Sequence, residues 1–164
     1  MAGYYALASD REFVGGPYPF MFFADFWDGY AFGQPIESFS TQEFADYLRL
    51  YNIGWIVVFS EPSKQFLNRM PGVIPLEQFG AIQTYSVAGP HSFFLKGSGV
   101  VSARSFNRID LSRLSGQTVV LKYHYAVGLE TIPLAHIEAV TVPGDPTPFV
   151  RITDPPPQLV LQMR

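Results

Sequence analysis

The stretch that leaves this chain least freedom runs from Ser40 to Ser60. Ser40 stands just before an amphipathic run, with Glu43 three residues on. At that spacing a hydroxyl takes an N–H of the first helical turn, and a carboxylate reaches back to the N–H of the cap. Phe44, Tyr47, Leu48 and Tyr51 recur at i, i+3, i+4 and i+7 and predict one apolar stripe. Asn52 and Gly54 tolerate the left-handed conformation that ends a helix, so they bracket the stop. Trp55-Ile56-Val57-Val58-Phe59 follows as an unbroken run of β-formers, which predicts a strand covered on both faces.

A second helix is predicted from Glu61-Pro62-Ser63, with Ser63 as its cap. Phe66, Leu67 and Met70 form its inner face, and Pro71-Gly72 ends it. Residues Leu76 to Gly80 read as a loop, and Ile82 to Val87 as a half-buried strand. Helix, strand, helix and strand in this order make a small α/β lobe over residues 1–90.

From His91 the texture changes. Ser92–Leu95, Val100–Arg104, Arg108–Leu111, Val119–Tyr125, His136–Val142, Phe149–Ile152 and Gln158–Met163 are short β-branched or aromatic runs, punctuated by Gly, Pro, Ser or Asp. About seven short strands at this spacing predict an antiparallel, jelly-roll-like sandwich over residues 91–164. Gly97-Ser98-Gly99 reads as a turn between strands, and the prolines at 143, 146, 148 and 155–157 as connections. The fold class expected is therefore α+β, with the two lobes either separate or parts of one continuous domain.

Residues 4–39 are dominated by the aromatic segment Phe20 to Phe32, entered through Gly15-Gly16-Pro17-Tyr18-Pro19. Three readings stand side by side. The segment packs aromatics onto the helix–strand unit, or it lies at a membrane interface with Asp25 and Asp28 turned to water. In the third, Trp27 or Tyr30 offers a ring face to a sugar while the two carboxylates accept its hydroxyls.

Charged residues make up only 15% of the chain and aromatics 16%. So few charges leave little with which to dress a large free surface, which implies that part of it is normally covered. The 11 basic residues are scattered and the net charge is −3, against the dense stripe that tracking a phosphate backbone needs. The absence of cysteine excludes disulfides and thiolate metal sites. No run of 18 apolar residues is present, and the first residues lack the charged start of a signal peptide.

Candidate chemistry is sparse. His91, His124 and His136 lack the spacing of a metal-ligand set; His136 and Glu138 lie two apart, on one face of a strand. His124, between Tyr123 and Tyr125 at the end of the strongest β run, either donates to a ligand hydroxyl or fixes the loop 126–133. Carboxylate pairs for glycoside chemistry would come from Asp25, Asp28, Glu130 or Asp145, a pattern any surface supplies. Neither a nucleophile elbow nor a phosphate-cradling glycine loop occurs. No metal, cofactor or self-contained catalytic activity is expected.

One set of landmarks in fixed order carries a resemblance. It comprises Arg11 to Pro19, Tyr51-Asn52-Ile53-Gly54-Trp55-Ile56-Val57-Val58, Leu121-Lys122-Tyr123-His124-Tyr125, Pro148-Phe149-Val150-Arg151-Ile152 and Asp154-Pro155-Pro156. Together they resemble the carboxy-terminal soluble region of large bacterial polytopic membrane proteins, which look like multi-span glycosyltransferases using lipid-linked sugar donors. The resemblance implies a domain on the extracytoplasmic face, tethered to the membrane-embedded portion of its parent. It also implies that the catalytic carboxylate lies in an inter-span loop outside this chain, so no catalytic residue is carried over. The expected function is a non-catalytic module that recognises a glycan or lipid-linked acceptor or braces the membrane portion. The alternative is an interaction domain that docks on a membrane or protein without binding sugar. Sugar contacts are expected from Asp25, Trp27, Asp28, Tyr123, His124 and Tyr125, which combine ring faces with hydrogen-bonding groups.

Overall fold

The computed structural model describes residues 29–164, apart from 32 and 106. Most of the aromatic segment, with Asp25, Trp27 and Asp28, lies outside the described residues. The chain divides into two compact units at Pro90/His91, the first α+β and the second wholly antiparallel β.

In the first unit a two-residue ladder, β1 (Tyr30–Ala31) with β2 (Gln34–Pro35), leads through a 3-10 turn at Ile36–Ser38 into helix α1 (Thr41–Leu50). Both halves of the capping box are formed. Ser40 Oγ accepts from the Glu43 N–H at 3.2 Å, and the Ser40 N–H donates to Glu43 Oε2 at 2.9 Å. The stop is a Schellman motif. Asn52, at φ 55, donates its N–H to the Arg49 carbonyl at 3.2 Å, and the Ile53 N–H reaches the Leu48 carbonyl at 2.8 Å. Phe44 and Leu48 are buried, and Tyr47 packs partly against the same core. Phe44 meets Phe39 and Phe66 edge-on at 5.8 and 5.1 Å, the arrangement that ring quadrupoles favour.

Strand β3 (Trp55–Val58) precedes α2 (Glu61–Leu67), β4 (Val73–Phe79) and β5 (Ile82–Val87). The sheet order is β3-β5-β4, all neighbours antiparallel, so β3 and β4 run parallel with β5 between them: a split βαβ unit. The cap of α2 is Ser60 rather than Ser63, because Ser60 has the extended backbone of a cap and accepts the Ser63 N–H. Ser63, one turn in, is buried and accepts from the Gly29 N–H, just before β1, at 3.0 Å. The expected loop 76–80 is mostly strand. Pairing through a tight turn at Gly80 (φ 60) overrides the weak β-propensity of Pro75, Glu77 and Gln78, and the pairing slips between Pro75 and Gln78.

One expectation fails in a consequential way. Strand β3 is covered on one face only: Ile56 and Val58 pack on the core, while Trp55, Val57 and the following Phe59 are 57–59% exposed.

The second unit is a curled six-stranded sheet of β6 (Phe94–Ser105), β7 (Arg108–His124), β8 (Leu129–Ile132), β9 (His136–Val142), β10 (Asp145–Thr153) and β11 (Gln158–Met163). Four of the expected short runs fuse into the β6–β7 hairpin. Arg113 (φ 53) and Gly116 (φ 118) bend β7 without ending its pairing with β6. One half of β7 pairs with β11, which continues to β8; the other half pairs with β10, which continues to β9. The shared hairpin thus joins two layers in a sandwich-like arrangement. Leu111, Val119, Leu121, Val150, Ile152, Leu159 and Leu161 fill the core between them.

Gly97 and Gly99 lie inside β6 rather than in a turn. A side chain at Gly97 would run into Val119 and two backbone oxygens of β7, so the strands cross closely there. Strand β8 falls within the expected loop 126–133. Pro146 and Pro148 belong to β10, at a register shift between Asp145 and Phe149 where ladder donors are not needed.

Candidate functional site

In the second unit, chemistry-bearing side chains meet at the far end of β7. Pro143-Gly144, with Gly144 at φ 92, turns β9 into β10 and delivers Asp145 as the first residue of β10. The Asp145 side chain is buried. Its Oδ1 accepts the Thr147 N–H at 2.7 Å, closing an Asx turn, and its Oδ2 lies 2.7 Å from His124 Nε2. The β7–β10 register sets His124 opposite Phe149, whose ring meets the imidazole edge-on at 4.8 Å. The imidazole is 43% exposed.

The result is an imidazole held by a carboxylate beneath it and a phenyl ring beside it. Such a pair orients a histidine for donating or accepting a hydrogen bond. Nucleophilic catalysis further needs a nucleophile within reach of the base. The contacts defining this pair come from a carboxylate, a backbone amide and a phenyl ring. His124 is thus anchored to the β9–β10 turn through Asp145.

The other expected binding residues do not converge with it. Tyr123 and Tyr125 point away from His124 into the sandwich, where both pack on the core. Tyr123 stacks on Phe93 at 5.5 Å with the planes 12° apart, and the Arg104 guanidinium lies 5.9 Å from the Phe93 ring. A strand sends successive side chains to opposite faces, which is why three adjacent residues cannot line one site.

The remaining candidates are bound up elsewhere. Glu130 accepts from Gln162 Nε2 at 3.0 Å and lies 3.1 Å from Arg164 Nε; Glu138 pairs with Arg151 across β9–β10 at 3.1 Å. Among the described residues there is no group of three or more His, Cys, Asp or Glu able to hold a metal. No buried side-chain nitrogen or oxygen among them lacks a hydrogen-bond partner.

In the first unit the feature that sequence reasoning missed is the outer face of the three-stranded sheet. The register aligns Trp55, Ser86 and Ile74 in one row across β3, β5 and β4, and Val57 beside Thr84 in the next. Phe79 pairs with Ile82 near the hairpin end. Trp55, Val57, Phe59, Ile74, Phe79 and Ile82 are 44–60% exposed, and the bulge in β4 sets Leu76 and Glu77 opposite Thr84. The Thr84 hydroxyl is already engaged: it donates to the Glu77 carbonyl at 2.9 Å and accepts the Glu77 N–H at 3.1 Å. On the covered face Tyr85 is fully buried, donates its hydroxyl to Asn68 Oδ1 at 3.2 Å, and has its pKa raised by that burial. An unbroken apolar run such as 55–59 hides which of its two faces is covered; only the pairing reveals it.

Comparison with protein-family models, with curated proteins and with solved structures found no match to this chain. No helix among the described residues is long and apolar enough to cross a membrane.

Proposed function

We propose that this chain is a non-catalytic docking domain, the soluble part of a larger membrane-bound, glycosyltransferase-like protein, and that it works through the outer face of its three-stranded sheet. The observation carrying this is the row of large apolar side chains on that face, with Trp55, Val57, Phe59, Ile74, Phe79 and Ile82 each 44–60% exposed. Contiguous apolar surface of this kind on a folded domain marks an interaction site, because leaving it wet forfeits about 25 cal/mol per Å². The low charge content supports the same reading. The parent protein and the extracytoplasmic location rest on the resemblance of the sequence landmarks.

The test is the accessibility of Trp55 in a Trp27→Phe background, where its fluorescence is read alone. In the dilute chain acrylamide should quench it as it quenches a half-exposed indole, and adding a partner should shield it. A Trp55 already shielded in the dilute chain would mean the face is not for docking.

A second reading keeps glycan recognition, favoured by the half-exposed His124 that Asp145 holds in place. Its contacts would come from His124 rather than from a Tyr123–His124–Tyr125 array. Glycan-array signal that disappears in His124→Ala supports it; the absence of signal, or signal unchanged by the substitution, removes it.

A further inference from the structure

We infer that the free edge of β9 pairs with β9 of a second copy of this chain, so that the sheet of the second unit runs on across a two-fold axis. This goes beyond the docking reading above and uses different residues, none of them on the three-stranded sheet.

The first reason is which edges are left open. A strand at the end of a sheet offers a row of unpaired N–H and C=O groups, and folded chains blunt such rows with short strands, lysine, proline or bulges. Three strands end the sheet of the second unit: β6, β8 and β9. β8 has four residues and is followed at once by Pro133. β6 carries Lys96 and Arg104, and its register against β7 shifts four times. β9 has none of these devices. Its seven residues include no lysine, arginine or proline, and it pairs with β10 without a break from His136 to Val140. Among the described residues nothing pairs with its other edge.

The second reason is register. A two-fold axis normal to the sheet keeps the core-facing sides together, and residues directly opposite one another then share a face. The axis must therefore pass through a residue, and the one that engages all seven is Ala139. His136 then faces Val142 of the other copy, Ile137 faces Thr141 and Glu138 faces Val140. No charge stands opposite its own sign, which is what opposes strand pairing. Glu138 stays tied to Arg151 of its own sheet at 3.1 Å.

The third reason is closure. At about 3.4 Å per residue the paired edge is about 24 Å long, and a copy about 4.8 Å away takes up the outward groups of both strands at once. A two-fold contact uses the same edge of both copies, so assembly stops at two while β6 and β8 stay blunted. A single strand pair buries less than stable complexes do, which sets the dissociation constant in the micromolar range or weaker.

The experiment is sedimentation equilibrium of the whole chain from about 1 µM to about 500 µM, read beside amide exchange. The mass should rise from 18.4 kDa towards twice that value. Protection should rise with it at alternate amides of β9, those turned away from β10. Ala139 is exposed, so Ala139→Lys and Ala139→Asp are tolerated by the fold and each set like charges face to face at the proposed axis. Each alone should dimerise at least tenfold more weakly, with far-UV circular dichroism unchanged. Mixed in equal amounts the two should pair again, because lysine then meets aspartate. Val127→Lys, at a 90% exposed position outside the strand, should change nothing. A mass fixed at 18.4 kDa overturns the inference. So does a dimer that both Ala139 variants leave intact, a pair of variants that mixing does not rescue, or open-ended growth beyond two copies.

Discussion

Replacing Gly97 by alanine tests the account of how β6 and β7 cross. Gly97 sits at φ 72, and a Cβ built there lies 2.8 Å from Val119 Cγ2 and 3.0 Å from the carbonyl oxygens of both Ser115 and Thr118. Two costs add. An L-residue in the left-handed region loses about 1–2 kcal/mol. Overpacking against two backbone oxygens and a core valine costs about 1–3 kcal/mol, since neither oxygen retreats without unpairing the strands. The stiffer unfolded chain returns about 0.4–1 kcal/mol. The net loss is about 1–4.5 kcal/mol, and its midpoint of about 3 kcal/mol in a domain of 60–100 residues lowers the melting temperature by roughly 12–24 °C. Thermal unfolding followed by circular dichroism measures it. The control is Gly128→Ala in the same unit, where φ is 95 but the nearest atom is Met163 Cε at 3.6 Å. It should lose only the conformational part, less the same return from the stiffer unfolded chain, about 0.5–1.5 kcal/mol net. If Gly97→Ala melts no lower than Gly128→Ala, the close crossing is not what glycine serves at that position.

Further outcomes follow from the same geometry. Ser40→Ala should destabilise α1 by about 1 kcal/mol, read from amide exchange in its first turn. The Ser40 side-chain and backbone hydrogen bonds hold the pKa of Glu43 below its ordinary value, so its contribution is present at neutral pH. That contribution is lost as pH falls through the lowered pKa, below the usual value of about 4.3, and in Glu43→Gln the acid-side loss of first-turn protection should shrink. Burial raises the pKa of Tyr85, which stabilises the fold below the unfolded tyrosine value of about 10; that stability fades as pH climbs through the raised pKa. Tyr85→Phe should flatten this alkaline limb at a cost of about 1 kcal/mol from the lost bond to Asn68. Asp145→Ala removes the acceptor of the part-buried Thr147 N–H and should cost about 1–3 kcal/mol, with faster exchange of that amide and a shifted His124 ring signal in NMR spectra.

The local sequence by itself determined the first helix and its ends. Ser40 and Glu43 bond to each other three residues apart, Phe44 and Leu48 recur one turn apart and Asn52 bonds back to Arg49, so their spacing already states the cap, the stripe and the stop. The change of texture at residue 91, and the α+β class that follows from it, are written in the same short-range way, as one periodicity giving way to another.

Tertiary structure decided everything that depends on which strand lies beside which. Residues 108–124 read as two strands because Ser115-Gly116 interrupts the β-formers, yet β6 pairs along both halves and keeps them one. The Asp145–His124 pair joins residues 21 apart through a register shift, a contact no local pattern encodes. The uncovered face of β3 is the clearest case. Trp55 to Phe59 are all apolar, so their composition holds no information about which face is wet. The α1 and α2 side chains pack with Ile56 and Val58 on one side, while Trp55, Val57 and Phe59 on the other stay more than half exposed.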